Sequence, residues 1–322
     1  MQTFDSFTIV PSYSEIESRS KVTTSTVLAG LYLDMPIINA NMHALSRLQM
    51  VDVLSRNNLF SSYHRFFRTL DQKKQMLNEV NDKKLFWMSV GTKPEEYEFV
   101  DYLIENGYHN ILIDVNHGHH KMVGDMCSYV KKKYPFTKLM AGNVSSSYGI
   151  SYLKKLDVDI IKVGNSFGNV CSTLAQTAVG VHPLHVAKRY REDTGDWNTK
   201  LCLDGGIRNS GDIAKSLIWG DLVMLGSMFA GTDESAGELH GNPFNSYKMY
   251  YGNASLEAKR STQQSENDVR YVEGISKQIK CTGKLETTLN SIKEGLQSSF
   301  SFVNALNIKE WRSNALENIL ML

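Results

Sequence analysis

A cysteine inside a glycine-punctuated loop, "IKVGNSFGNVCSTLAQTAVGVH" from Ile161 to His182, is the first feature of this sequence that could do chemistry. Cys171 follows Gly164 and Gly168 and precedes Ser172 and Thr173. Backbone dipoles and hydroxyls around a loop thiol can favour the thiolate, the reactive species, so the segment points toward nucleophilic chemistry. A lone cysteine is more often inert than catalytic, and at this level both readings stay open. Of the other thiols, Cys127 falls on a helix face and Cys202 inside a strand, where packing explains them, while Cys281 adjoins a polar segment near the C-terminus.

Two further motifs suit an anion. "CLDGGIRNSGD", with Asp204, Gly205 and Gly206, and "MLGSMFAGT", with Gly226 and Ser227, each set small residues between a strand and a helix. Backbone N–H groups can approach a phosphate there with a helix dipole behind them. Either motif alone could be a bare tight turn; the pair together favours a phosphate site. "DVNHGHH" brings Asp114, His117, His119 and His120 together, but the spacing matches no zinc pattern.

The elements that must position these residues are legible as eight short apolar runs. They start at Pro36, Leu59, Leu85, Ile111, Lys138, Ile160, Lys200 and Leu222. Each reads as a strand buried on both faces, too short for a helix. Between them lie segments of helical period, such as "PEEYEFVDYLIENG" and "SGDIAKSLIWG", the latter with Ser210 as expected N-cap and Gly220 closing it. The pattern predicts an α/β (β/α)8 TIM barrel, one catalytic domain over residues 1–322, with a long loop after the sixth strand that carries Cys171. Asn41, Arg65, Asp114, Asn143, Gly164, Asp204 and Gly226 then fall at the C-terminal strand ends, where such barrels keep their chemistry. The polar stretch "SLEAKRSTQQSENDVRYVEGISKQIKCTGKL" reads as a C-terminal flap over the site.

Composition narrows the partner. With 35 basic and 34 acidic residues, no net field exists to gather nucleic acid or an anionic membrane, so an anionic ligand must be held locally. Four scattered cysteines without a C-x-x-C pair suit a reducing cytoplasm. No apolar run approaches a membrane span and the N-terminus lacks a leader pattern, so the expectation is a soluble, unexported, cytoplasmic protein.

Taken in order, the motifs resemble those of the GMP reductase and IMP dehydrogenase superfamily. The match runs through "SRSKV" at Ser18, "MPIINANM" at Met35, "IDVNHGHH" at Ile113, "MAGNV" at Met140, "IIKVG" at Ile160 and "GNVCST" at Gly168. It continues through "LDGGIRNSGDIAK" at Leu203, "VMLGSMFAGTDESAGE" at Val223, "YYGNAS" at Tyr250 and "VEGI" at Val272. The resemblance implies that Cys171 attacks C2 of a purine nucleoside monophosphate while a hydride passes between C2 and a nicotinamide, with Thr173 assisting proton transfer. It implies that Asp204 holds the ribose, that Gly205, Gly206, Gly226 and Ser227 cradle the 5′-phosphate, and that Gly252 and Asn253 contact the base. Ser18, Arg19, Arg65, Asp114, Val115 and Asn116 match positions near the dinucleotide. A homotetramer is likewise implied by the family alone.

About 20 residues separate the second and third apolar runs, which leaves no space for the paired cystathionine-β-synthase domains usual in the dehydrogenases. The resemblance therefore favours the reductase branch: NADPH, GMP, and Glu273 as the flap acid that helps to protonate departing ammonia. A compact NAD-dependent IMP dehydrogenase and a catalytically silent nucleotide binder are the alternatives. Arg270 and Tyr271 resemble the dehydrogenase base pair. His43 and Arg65 replace the family's usual aspartate and lysine. Ser166 stands where a glycine helps to shape a monovalent-cation site that would include Gly168 and Cys171, which argues against a potassium requirement.

Overall fold

In the computed structural model, residues 1–242, 244–253, 255, 258 and 274–322 are described. The eight apolar runs all form strands: Ile37–Asn39, Ser61–Tyr63, Phe86–Val90, Asn110–Asp114, Lys138–Val144, Ile160–Val163, Lys200–Asp204 and Leu222–Leu225. They make one parallel sheet in sequential order from the second strand to the eighth, and the eighth pairs with the first. A parallel bridge between Ile38 and Phe60 brings the first and second strands together and closes the barrel. Complete burial of Phe86–Val90, Ile160–Val163 and Leu222–Leu225 explains their mostly apolar character, broken only by Ser89 and Lys162, because side chains face the barrel interior on one side and helices on the other.

Helices cover the outside where the periodicity places them. Pro94–Glu105 begins with Pro at its first turn, and Ser210–Trp219 ends at Gly220. The second helix differs from expectation in one respect: Asn209 is the N-cap, its side chain accepting from Asp212 N–H, and Ser210 is the first helical residue. Two C-terminal helices, Leu285–Ser301 and Ile308–Glu317, complete the shell, with Trp311 Nε1 donating to Ala214 O at 2.9 Å. Among the described residues no helix is long and apolar enough to cross a membrane.

Beyond the eighth strand the chain forms a separate antiparallel sheet of Leu239–Asn242, Asn245–Tyr251 and Ser276–Lys280. The expected flap lies mostly in residues outside the described set, but its two roots are described. Gly252 follows the middle strand and Gly274 precedes the last, and both approach the cysteine loop, Gly252 at Val170 and Gly274 at Cys171.

Candidate active site

The sixth strand and the chain after it fix the thiol. At its end Gly164 has a φ of +133°, and a Cβ there would collide with the Asp204 carbonyl, so only glycine allows the sixth and seventh strand ends to come this close. Cys171 N–H then bonds Gly168 O at 3.0 Å, tightening the loop. The loop also leans on the separate sheet: Cys171 bridges Gly274, Ile275 N–H donates to Val170 O at 3.0 Å, and Lys277 Nζ reaches Asn169 Oδ1 at 2.9 Å. Cys171 is half-buried, and its Sγ lies 3.2 Å from the Oγ1 of buried Thr173. Cys127 and Cys202 are wholly buried; burial pushes the Cys127 thiol up to about 12 and raises that of Cys202 further, consistent with packing roles.

A buried cation organises the floor. Lys162, inside the sixth strand, sends Nζ to Asp114 Oδ1 at 3.1 Å, Asp204 Oδ2 at 3.2 Å and Asn41 Oδ1 at 3.1 Å. Burial opposes its charge, but the two carboxylates outweigh that and raise its pKa. Burial would likewise push Asp114 up, yet Lys162 and Arg65 hold it below the usual carboxylate range. Asn143 Nδ2 donates to the same Asp204 oxygen, at 2.9 Å from Oδ2. Arg65 donates Nε to Asp114 O at 3.1 Å and lies 4.7 Å from the Phe66 ring centre, which leaves its terminal guanidinium nitrogens without a described side-chain partner.

The glycine motifs face the same space. Gly205 and Gly206, at the end of the seventh strand, have φ of +110° and +80°, a backbone region that favours glycine. A Cβ on Gly226 would run into the Tyr250 hydroxyl, so this glycine makes room for a tyrosine from the separate sheet. Asn253 is clipped to the loop after the first strand, accepting from His43 N–H at 3.0 Å and donating to Asn41 O at 3.3 Å.

One cavity of about 480 Å³ gathers nearly all of the expected residues. Cys171, Thr173, Gly168, Asp204, Gly205, Gly206, Gly226, Ser227, Gly252, Asn253, Arg65, Asp114, Val115 and Asn116 line it. Ser18 and Arg19 do not; Ser18 caps a short turn and Arg19 pairs at the surface with Ser298 and Glu294. Glu273, Arg270 and Tyr271 lie outside the described residues. The sequence reading missed Lys162 and Tyr250, which line the cavity too. The only available signal was a charged residue in a run otherwise reading as buried strand. Among the described residues no three His, Cys, Asp or Glu side chains are placed to hold a metal ion, and His120 caps the helix Lys121–Lys133 instead.

A half-exposed thiol, a hydroxyl beside it, a carboxylate steadied by lysine and asparagine, and two glycine-lined strand ends describe a (β/α)8 barrel suited to a phosphorylated ligand. The chain belongs to the IMP dehydrogenase / GMP reductase domain family, which it matches over residues 1–319. It is 34% identical over 310 residues to a GMP reductase of Lactobacillus delbrueckii subsp. bulgaricus, covering 95% of this chain and 91% of that protein. A GMP reductase of Streptococcus agalactiae serotype V is 33% identical over 311 residues, covering 96% and 92%. One from Ligilactobacillus salivarius is 32% identical over 303 residues, covering 93% and 90%.

Proposed function

We propose that this chain is an NADPH-dependent GMP reductase working through a covalent bond to Cys171. The observation that carries the proposal is the single cavity in which Cys171 and Thr173 face Asp204 and the two glycine-lined strand ends. The relatives named GMP reductase support the choice of reaction.

In the proposed reaction the 5′-phosphate takes the N–H groups of Gly205, Gly206, Gly226 and Ser227, and Asp204 accepts from the ribose hydroxyls. Gly252 and Asn253 hold the base with C2 toward Cys171. The thiolate adds to C2; the C2–N2 bond then breaks, and the amino group leaves as ammonia after gaining protons. Thr173 Oγ1 stands close enough to exchange a proton with the sulfur or a leaving group. Arg65 remains a fixed cation, because a guanidinium does not release its proton, and that leaves proton delivery to the flap acid Glu273.

The residues present fit a nicotinamide nucleotide. Among the described residues the terminal guanidinium nitrogens of Arg65 have no side-chain partner, and Val115 and Asn116 line the same cavity. When bound, NADPH supplies the hydride that takes the sulfur's place at C2. GMP, NADPH and two protons thus give IMP, ammonium and NADP. The protein's part is to hold C2 against Cys171, to keep Asp204 oriented through Lys162 and Asn143, and to exclude water from the reacting face. We also read the active form as a homotetramer in a reducing, cytoplasmic setting, with Ser18 and Arg19 near the dinucleotide across a subunit edge.

Near-ultraviolet absorbance of purified protein tests the proposal, with one sample given GMP and NADPH and another IMP and NAD. Loss of reduced nicotinamide in the first alone is expected. Formation of reduced nicotinamide in the second alone would make the chain a compact IMP dehydrogenase, and silence in both would favour the binding-only alternative.

A further inference from the structure

Ser166 enters the cysteine loop with a φ of +73°, a left-handed conformation that non-glycine residues seldom hold. Such a backbone persists only where its surroundings over-determine it. Here the surroundings are a clasp. The Ser166 hydroxyl lies 2.8 Å from Val179 O, 13 residues further on, and 2.6 Å from Asn165 Oδ1. Its single proton is shared between these two acceptors. Gly180 packs against the same side chain, and a Cβ on Gly180 would stand only 2.5 Å from that of Ser166. The two ends of the segment carrying Cys171 are therefore fastened to each other.

The clasp has a second arm. Buried Asn165 donates Nδ2 to Asn116 O at 3.2 Å, in the loop after the fourth strand. Asn116, Asn165 and Ser166 all line the cavity that Cys171 faces. A hydrogen-bonded chain thus runs from Asn116 through Asn165 and Ser166 to Val179, joining the loop on the dinucleotide side to the far root of the cysteine loop.

We infer that Ser166 is a positioning residue: by clasping the loop ends it sets where Cys171 Sγ stands relative to the dinucleotide side of the cavity. Its effect on turnover rests on the reductase reading, but its effect on the thiol does not. Ser166→Ala removes the hydroxyl while keeping the backbone demand, and Ser166→Gly removes the hydroxyl and relieves that demand. Iodoacetamide alkylation of Cys171 in substrate-free protein, followed by peptide mass spectrometry, is compared with alkylation of partly exposed Cys281 in the same molecules.

In both variants the Cys171 to Cys281 ratio should shift several-fold. A displaced nucleophile should lower kcat about 10- to 100-fold while KM for GMP stays within about threefold. A wild-type ratio in either variant overturns the proposal, as does a Ser166→Gly protein with wild-type kcat. A lowered melting temperature with an unchanged ratio overturns it too, because it marks a merely structural side chain. If the wild type fails to turn over GMP, the reductase reading falls alone and the alkylation ratio still decides the clasp.

Discussion

Replacing Lys162 by methionine keeps most of the unbranched side chain, one atom shorter, and removes its charge. In the wild type that charge lies 3.1 Å from Asp114, 3.2 Å from Asp204 and 3.1 Å from the Asn41 amide oxygen, in a side chain 5% exposed. Removing one partner of a buried ion pair costs about 3–5 kcal/mol, because the other charge is left without compensation. Two carboxylates lose their cation here, so Lys162→Met should cost about 5 kcal/mol at neutral pH, a large part of the roughly 5–15 kcal/mol that holds a protein folded. Urea unfolding of both proteins measures the difference.

The pH dependence separates charge from packing. In the wild type Asp114 titrates below its ordinary value, so its contribution is present above about pH 3.9 and fades as pH falls through the folded value. In the variant only Arg65 and the Asn41 amide are left to oppose burial, so that pKa lies above its wild-type value and the ionised carboxylate contributes less at neutral pH. The gap between the two proteins should therefore widen from acid to neutral pH, and Asp114→Asn added to Lys162→Met should recover part of the loss. A gap below about 1 kcal/mol, or one independent of pH, would refute the reasoning, since surface-like pairs are worth no more than that.

Other outcomes follow from the same geometry. Cys171→Ala should abolish turnover while GMP binding, measured by calorimetry, changes less than about threefold, because in the proposed reaction the thiol acts on the reacting carbon and the phosphate and ribose contacts supply the binding. Gly226→Ala drives a methyl into the Tyr250 hydroxyl, so KM for the nucleotide should rise about tenfold or more, and Tyr250→Phe in the same chain should return part of it. His64 and His182 are both buried, with pKa values lowered from 6.5 to about 3 and about 4. The folded protein then binds fewer protons than the unfolded chain below pH 6.5, so stability should fall with acidity by about 1.4 kcal/mol per pH unit for each histidine. Urea midpoints unchanged between pH 7 and 5 would contradict this.

All eight barrel strands could be read from the sequence because strands covered on both faces leave short runs that are mostly apolar, and the long interval from Ile160 to Lys200 marked the cysteine loop. The cavity-lining glycines after the seventh and eighth strands were legible because small residues recur between strand and helix in two successive units. Lys162 was not. A lysine in a strand ordinarily implies an exposed edge, and its partner Asp114 lies 48 residues away in the chain, brought close only when the fourth, fifth and sixth strands pair. Tyr250 was hidden for a related reason: which of two adjacent tyrosines turns toward Gly226 is set by the antiparallel register of the separate sheet. At the helix of residues 210–219, Asn209 and Ser210 can both cap, and local sequence does not say which adopts the extended backbone.

The most direct test of the account is the stoichiometry of the reaction itself, with NADPH consumed and ammonium released measured in one sample containing GMP, for the wild type and for Cys171→Ala. One ammonium should appear for each NADPH consumed by the wild type, and neither change should occur in the variant. NADPH loss without ammonium, or turnover that survives the substitution of Cys171, would contradict the account.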